Sequence, residues 1–221
     1  MKKILLILLA MMLMGCQSTS NGESEAVTKK PTIDTQTYNG KILIAYFSRV
    51  GNTDFPENTD ASSSASVIVE DQQLIGNTEY MADVIVEQTG GDKFLIQTET
   101  PYPADYDTLV DQQQGERDQD SRPVLSSHVE NFNEYDVIYL GFPNWWYGMP
   151  MPLYSFLEEY DFSDKTIIPF NTSGGSGFSD AVEEIKELCP QATVLEGLTI
   201  HGNQVQDAKD EIVSWIDSIN D

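Results

Sequence analysis

Short continuous apolar runs alternate along this chain with stretches whose apolar residues recur at helical spacing, and that alternation leaves few folds open. Ile42–Phe47 is apolar throughout, as a parallel strand covered on both faces requires. Glu79–Gln88 carries Met81, Ala82, Ile85 and Val86 at helical spacing, and Gly90-Gly91 stops it. Lys93–Gln97 predicts a second strand and Tyr106–Gln119 a very polar helix. Val137–Phe142, Thr166–Phe170 and Thr193–Leu198 predict three more strands, followed in turn by helices over Met151–Tyr160, Ser179–Leu188 and Gln206–Ile219. Five strands separated by helices give an α/β fold, a doubly wound five-stranded parallel sheet. Right-handed crossovers put helices on both faces, and ligands then bind beyond the C-terminal strand ends.

One stretch breaks the rhythm. Val50–Ile75 separates the first strand from its helix, an unusual length inside a compact domain. Gly51–Ser66 reads as loop, and Val67–Ile75 could add a short edge strand. The triplet Gly-Asn-Thr occurs on both sides of this insertion, at 51–53 and 76–78, and only the second copy directly precedes a helical pattern.

Three loops at the strand ends carry chemistry. Ser48 and Arg49 end the first strand, and Gly76, Asn77 and Thr78 open its helix. A helix N-terminus presents free N–H groups and a partial positive charge, so it binds anions without Lys or Arg. The second loop runs Pro143, Asn144, Trp145, Trp146, Tyr147, Gly148. Three consecutive large aromatics cannot all face one core, so at least one is expected to be exposed or to cover a ligand. The third loop, Thr172, Ser173, Gly174, Gly175, Ser176, Gly177, has a backbone that a ligand can approach closely. Hydroxyls at a helix start, aromatic faces and an open Gly/Ser backbone are what a phosphate on a flat ring system needs, and flavin mononucleotide (FMN) is such a molecule.

The ends of the chain predict where it works. Lys2 and Lys3 precede the apolar Ile4–Met14, and Leu13-Met-Gly-Cys16 resembles the lipobox at which residues 1–15 are removed and Cys16 receives lipid. Residues 16–38 are rich in Ser, Thr, Glu and Lys and read as a disordered tether, with the domain over 39–221. The expected product is extracytoplasmic and lipid-anchored to a bacterial membrane. A net charge of −24 argues against nucleic acid and favours basic protein partners or small neutral substrates. With Cys16 lipidated, Cys189 stands alone and reads as a small core residue. His128 and His201 are isolated, and no metal spacing or nucleophilic triad is legible.

The Tyr-Phe-Ser-Arg opening at 46–49, the Trp-Trp second loop and the Thr-Ser-Gly-Gly-Ser-Gly third loop together resemble the flavodoxin family over about residues 40–220. The resemblance implies strand order 2-1-3-4-5 and bound FMN. Ser48, Asn77 and Thr78 would then hold the phosphate, Pro143–Gly148 would flank the isoalloxazine, and Thr172–Gly177 would line its pyrimidine and ribityl side. Flavin-dependent quinone reductases place an aromatic pair before Gly-x-Pro, which matches Trp146 and Tyr147. The insertion departs from the family pattern and leaves Arg49 and the choice of triplet open. The expectation is a low-potential electron carrier serving a redox partner protein or a small-molecule electron acceptor. A reductase moving hydride from a nicotinamide through FMN to a quinone or nitro compound, and a flavin-free binding module, are the alternatives.

Overall fold

The computed structural model describes residues 41–57, 59, 66–70 and 73–220. The leader, the Cys16 anchor and the tether lie outside them. The first strand, β1 (Lys41–Tyr46), turns fully buried from Leu43 onward. The insertion carries β2 (Val67–Glu70) and β3 (Gln73–Gly76), and α1 (Asn77–Thr89), β4 (Asp92–Leu95) and α2 (Tyr106–Asp118) follow. The chain continues through β5 (Tyr135–Pro143), α3 (Met151–Glu159), β6 (Thr166–Ser173) and α4 (Ala181–Leu188). It closes with β7 (Thr193–Val194), β8 (Leu198–His201), a 3-10 turn at Gly202–Asp207 and α5 (Lys209–Asn220).

The main sheet has the order β4-β1-β5-β6-β7, with β8 also on β6, and every pairing is parallel. That is the 2-1-3-4-5 order, with its fifth strand in two pieces. Thr193 and Val194 pair with Thr166 and Ile167, while Leu198–His201 pair with Phe170–Ser173. The single strand expected over Thr193–Leu198 is interrupted because Gly197 packs directly on the Pro169 backbone, where a Cβ would overlap the carbonyl oxygen.

Two cores lie on the two faces, as the double winding requires. One joins Leu43, Phe47, Ile138, Leu140 and Ile167 to Leu109 of α2, Leu153 and Phe156 of α3 and Ile185 of α4. The other joins Ile44, Tyr139, Ile168 and Phe170 to Met81 and Ile85 of α1 and Ile212 and Ile216 of α5. β5 and β6 are buried along nearly their whole length, which explains why both read as continuous apolar runs. Cys189 belongs to the first core, and burial pushes its thiol up to about 11, so it is an inert packing residue at neutral pH.

The insertion does not supply an edge strand. β2 and β3 pair antiparallel with each other, Val67 opposite Gly76 and Glu70 opposite Gln73, as a separate two-stranded ribbon.

Candidate functional site

The insertion is closed off where it leaves and rejoins the domain. Ser48, buried at the end of β1, lies against Gly76, and a Cβ at position 76 would overlap the Ser48 hydroxyl. Glycine is therefore required for the two halves of the first loop to meet. The Ser66 carbonyl accepts the N–H of Asn77 at 3.0 Å, which fastens the base of the ribbon to the first turn of α1.

The second Gly-Asn-Thr copy opens α1, and Asn77 and Thr78 are both buried. The Thr78 hydroxyl lies 3.5 Å from that of Thr172 at the end of β6, so loops one and three touch here. The helix cannot satisfy the N–H groups of its own first turn. With the Asn77 N–H on Ser66, the anion-binding capacity falls to Thr78 and Glu79. The Asn77 side chain differs from expectation. Its amide donates to the Gly202 carbonyl at 3.1 Å and joins α1 to the turn before α5.

The first copy is a different object. Asn52 donates to the Ser48 and Ile96 carbonyls at 3.0 and 2.9 Å. It accepts from the Thr98 N–H at 2.8 Å and the Thr98 hydroxyl at 3.2 Å. All of its capacity goes into bracing β1 against the segment after β4.

The aromatic loop is a two-residue hairpin. Trp145 and Gly148 exchange backbone hydrogen bonds of 3.0 and 3.1 Å across Trp146 and Tyr147. Those two residues take φ of 51° and 62°, the left-handed pair that such a turn demands and that Asn-Gly normally fills. Two aromatics held there store backbone strain, as functional sites do. Trp145 turns inward and packs edge-on against Phe47 and Tyr102, with centroids 5.2 and 5.5 Å away. Trp146 and Tyr147 stay 41% and 67% exposed. Sequence spacing has no residues to show what holds this loop. It is the Arg117–Glu184 ion pair, 2.6 Å long, lying against Gly148, with Glu184 also accepting the Met149 N–H at 3.4 Å.

The third loop starts later than expected, since Thr172 and Ser173 complete β6. The Ser173 hydroxyl accepts the N–H groups of Gly175 and Gly177 at 3.3 and 3.1 Å. The Gly177 carbonyl takes amide donors from Asn144 at 2.7 Å and Asn171 at 2.9 Å. The Asn144 N–H donates to the Thr172 carbonyl at 2.7 Å, so loops two and three are stitched together. The loop is thus braced at its flanks, while Gly174 and Gly175 face open space.

A cleft of about 440 Å³ opens between these parts. From the expected residues it takes Arg49, Asn144, Trp145, Trp146, Tyr147 and Gly174, together with Ser66 and Ser176. Ser48, Asn77, Thr78 and Thr172 are buried and do not line it; Asn77 is bonded to Ser66, which does. The opposite wall is α2, through Tyr106, Leu109, Val110 and Gln113. The sequence suggests only a solvated helix there. The available signal is faint: four positions at helical spacing in an otherwise polar segment.

This arrangement defines a doubly wound α/β domain with a cleft at the C-terminal strand ends, lined by exposed ring faces, and with buried hydroxyls at the start of α1. A family model described as flavodoxin matches residues 66–219, and the chain belongs to that family. Among solved structures, it is similar to a candidate flavoprotein from Bacteroides uniformis, with 30% identity and a TM-score of 0.61 over 81% of this chain and 99% of the other. A candidate flavoprotein from Bacteroides eggerthii is similar at 28% identity and a TM-score of 0.62, covering 82% and 98%. A flavoprotein from Lactobacillus acidophilus, solved in complex with FMN, shares the fold at 20% identity and a TM-score of 0.53, covering 76% and 97%. No curated protein matches the chain.

Proposed function

We propose that this chain binds FMN in the cleft and carries electrons with it, outside the cytoplasm and on a lipid anchor at Cys16. The observation that carries the reading is the meeting of the three loops at one sheet edge, bound to one another by the Thr78–Thr172 and Asn144–Thr172 contacts. The residue chemistry at the three loops is of the kind FMN needs. Ser48, Thr78 and Thr172 supply hydroxyls beside the start of α1, and the outward rings of Trp146 and Tyr147 supply faces for a flat ring system. Family membership and the FMN complex of the Lactobacillus acidophilus protein support the same cofactor.

FMN supplies the redox chemistry when bound; the chain positions it and sets its electrostatics. Exposed aromatic faces and a net charge of −24 disfavour the anionic reduced flavin, which lowers its potential. Purified protein should be yellow or take up FMN at micromolar concentration with quenching of its fluorescence. A colourless protein that leaves FMN fluorescence unchanged overturns the reading. Cys16→Ser should release the protein from the membrane fraction or leave it unprocessed. If it partitions like wild type, the anchor is elsewhere.

A second reading, reduction of a small organic acceptor at the same flavin, is favoured by the α2 wall. A cleft with Tyr106, Leu109, Val110 and Gln113 facing the aromatic loop has room for contacts that a purely protein-facing carrier does not need. Turnover with a nicotinamide and a soluble quinone separates the two.

A further inference from the structure

We propose that Arg49 makes the α2 side of the cleft a subsite for a planar aromatic carboxylate, apart from the residues that would hold the FMN phosphate; this rests on the second reading above. Arg49 comes directly after Ser48, but its side chain does not join the hydroxyl cradle. Its Nη2 donates to the Pro103 and Ala104 carbonyls at 3.1 and 3.0 Å, just before α2. The guanidinium carbon stands 4.9 Å from the centre of the Phe55 ring. Those contacts fix the plane of the group on the α2 side.

Arg49 is 2% exposed, and its buried Nε has no acceptor among the described residues. Among the described residues no carboxylate pairs with it. This holds in a chain with 36 acidic residues against 12 basic ones, so acidic partners were plentiful. Burial lowers the pKa of Arg49, yet a guanidinium stays protonated in proteins. A buried, charged and incompletely bonded donor is unfavourable unless an anion completes it.

The surroundings state which anion. Arg49 lines the cleft with Tyr106, Leu109, Val110, Gln113 and Trp146. These give apolar and aromatic surface for a flat body and, in Gln113, one buried amide in the same cleft. A guanidinium fork matches a carboxylate geometrically. None of Ser48, Gly76, Asn77, Thr78 or Thr172 lines the cleft with Arg49, whose guanidinium is bonded on the α2 side, and the proposal therefore sets this anion apart from a phosphate at the start of α1.

The test uses full-length protein purified in detergent and calorimetric titration, with and without FMN. The probes are 2-naphthoate and its neutral analogue 2-naphthalenemethanol. Wild type should bind the carboxylate about tenfold more tightly or better, the range of one charge-assisted hydrogen bond. Arg49→Gln should abolish that preference and Arg49→Lys keep part of it. The ratio of FMN to riboflavin affinity should be the same in wild type and Arg49→Gln. Val110→Trp, which fills the cleft and leaves Arg49 in place, should remove naphthoate binding; it serves also if Arg49→Gln does not fold. No carboxylate preference in wild type, a preference that survives Arg49→Gln, or naphthoate binding undiminished in Val110→Trp overturns the proposal. A fall in the FMN-to-riboflavin ratio in Arg49→Gln overturns it too, by assigning Arg49 to the cofactor phosphate. Failure to bind FMN counts against the proposed function instead, and the FMN-free titration still decides the subsite.

Discussion

Gly-Asn-Thr at 51–53 and Gly-Asn-Thr at 76–78 are the same three residues, and the protein uses them in opposite ways. The first copy is spent on structure. The Asn52 side chain satisfies four partners from two segments, and Tyr102 donates its N–H to the Asn52 carbonyl at 2.7 Å. The second copy sits where β3 becomes α1, so its N–H groups point out of a helix that cannot use them. The difference lies in the residues next to each triplet. Asp54-Phe-Pro56 cannot continue a helix, whereas Glu79-Tyr-Met-Ala82 can. A triplet that opens a helix keeps N–H groups the helix cannot use, and a triplet without the helix is free to become a brace.

Asn52→Ala should test that contrast most severely. It strands the Thr98 N–H and the Ser48 and Ile96 carbonyls in a buried site, and should destabilise the fold by about 4 kcal/mol. Denaturant unfolding gives the value, and the FMN-to-riboflavin affinity ratio should not change. A change in that ratio without loss of stability would make the first copy a ligand site.

A similar contrast divides Trp145 from its neighbour. Trp145→Ala removes a ring packed on Phe47 and Tyr102 and should cost about 3 kcal/mol of stability. Trp146→Ala should leave the midpoint of unfolding almost unmoved, weaken oxidised FMN and raise the potential of the final reduction step. Reductive titrations at low and high salt separate this from the acidic surface, whose effect is screened. If Ala at 146 and at 147 both leave affinity and potential unchanged, the exposed rings serve another partner.

Thr78→Ala should weaken FMN relative to riboflavin by about 1.5–3 kcal/mol, the loss of a hydrogen bond to a charged group. Equal losses for both ligands would show a structural role in place of a phosphate contact. Thr53→Val is the matching change in the other copy and the smallest effect. The Thr53 hydroxyl is buried with no partner among the described residues, so replacing it with a methyl should be neutral or stabilise by up to about 1 kcal/mol. FMN binding that falls more in this variant than in Thr78→Ala would reverse the assignment of the two copies.

Hydrophobic periodicity is local, so the layered fold is legible in the residues before any contact is known. Ile42–Phe47, Val137–Phe142 and Thr166–Phe170 have to be buried on both faces, and the stretches between them show one apolar stripe each. Equally legible are the helix that the second triplet opens and the division of the Trp-Trp-Tyr run between core and surface. Folding in three dimensions settles which way each polar group points. The Asn77 amide reaches Gly202, Arg49 turns to Pro103 and Ala104, the ion pair of Arg117 with Glu184 braces Gly148, and Gly197 splits the last strand. Only in the folded chain does α2 close the cleft, and only there do β2 and β3 satisfy each other without joining the main sheet. A polar side chain takes whichever partner packing brings within about 3 Å. For Asn77 that partner is 125 residues away, a separation over which no local pattern carries information.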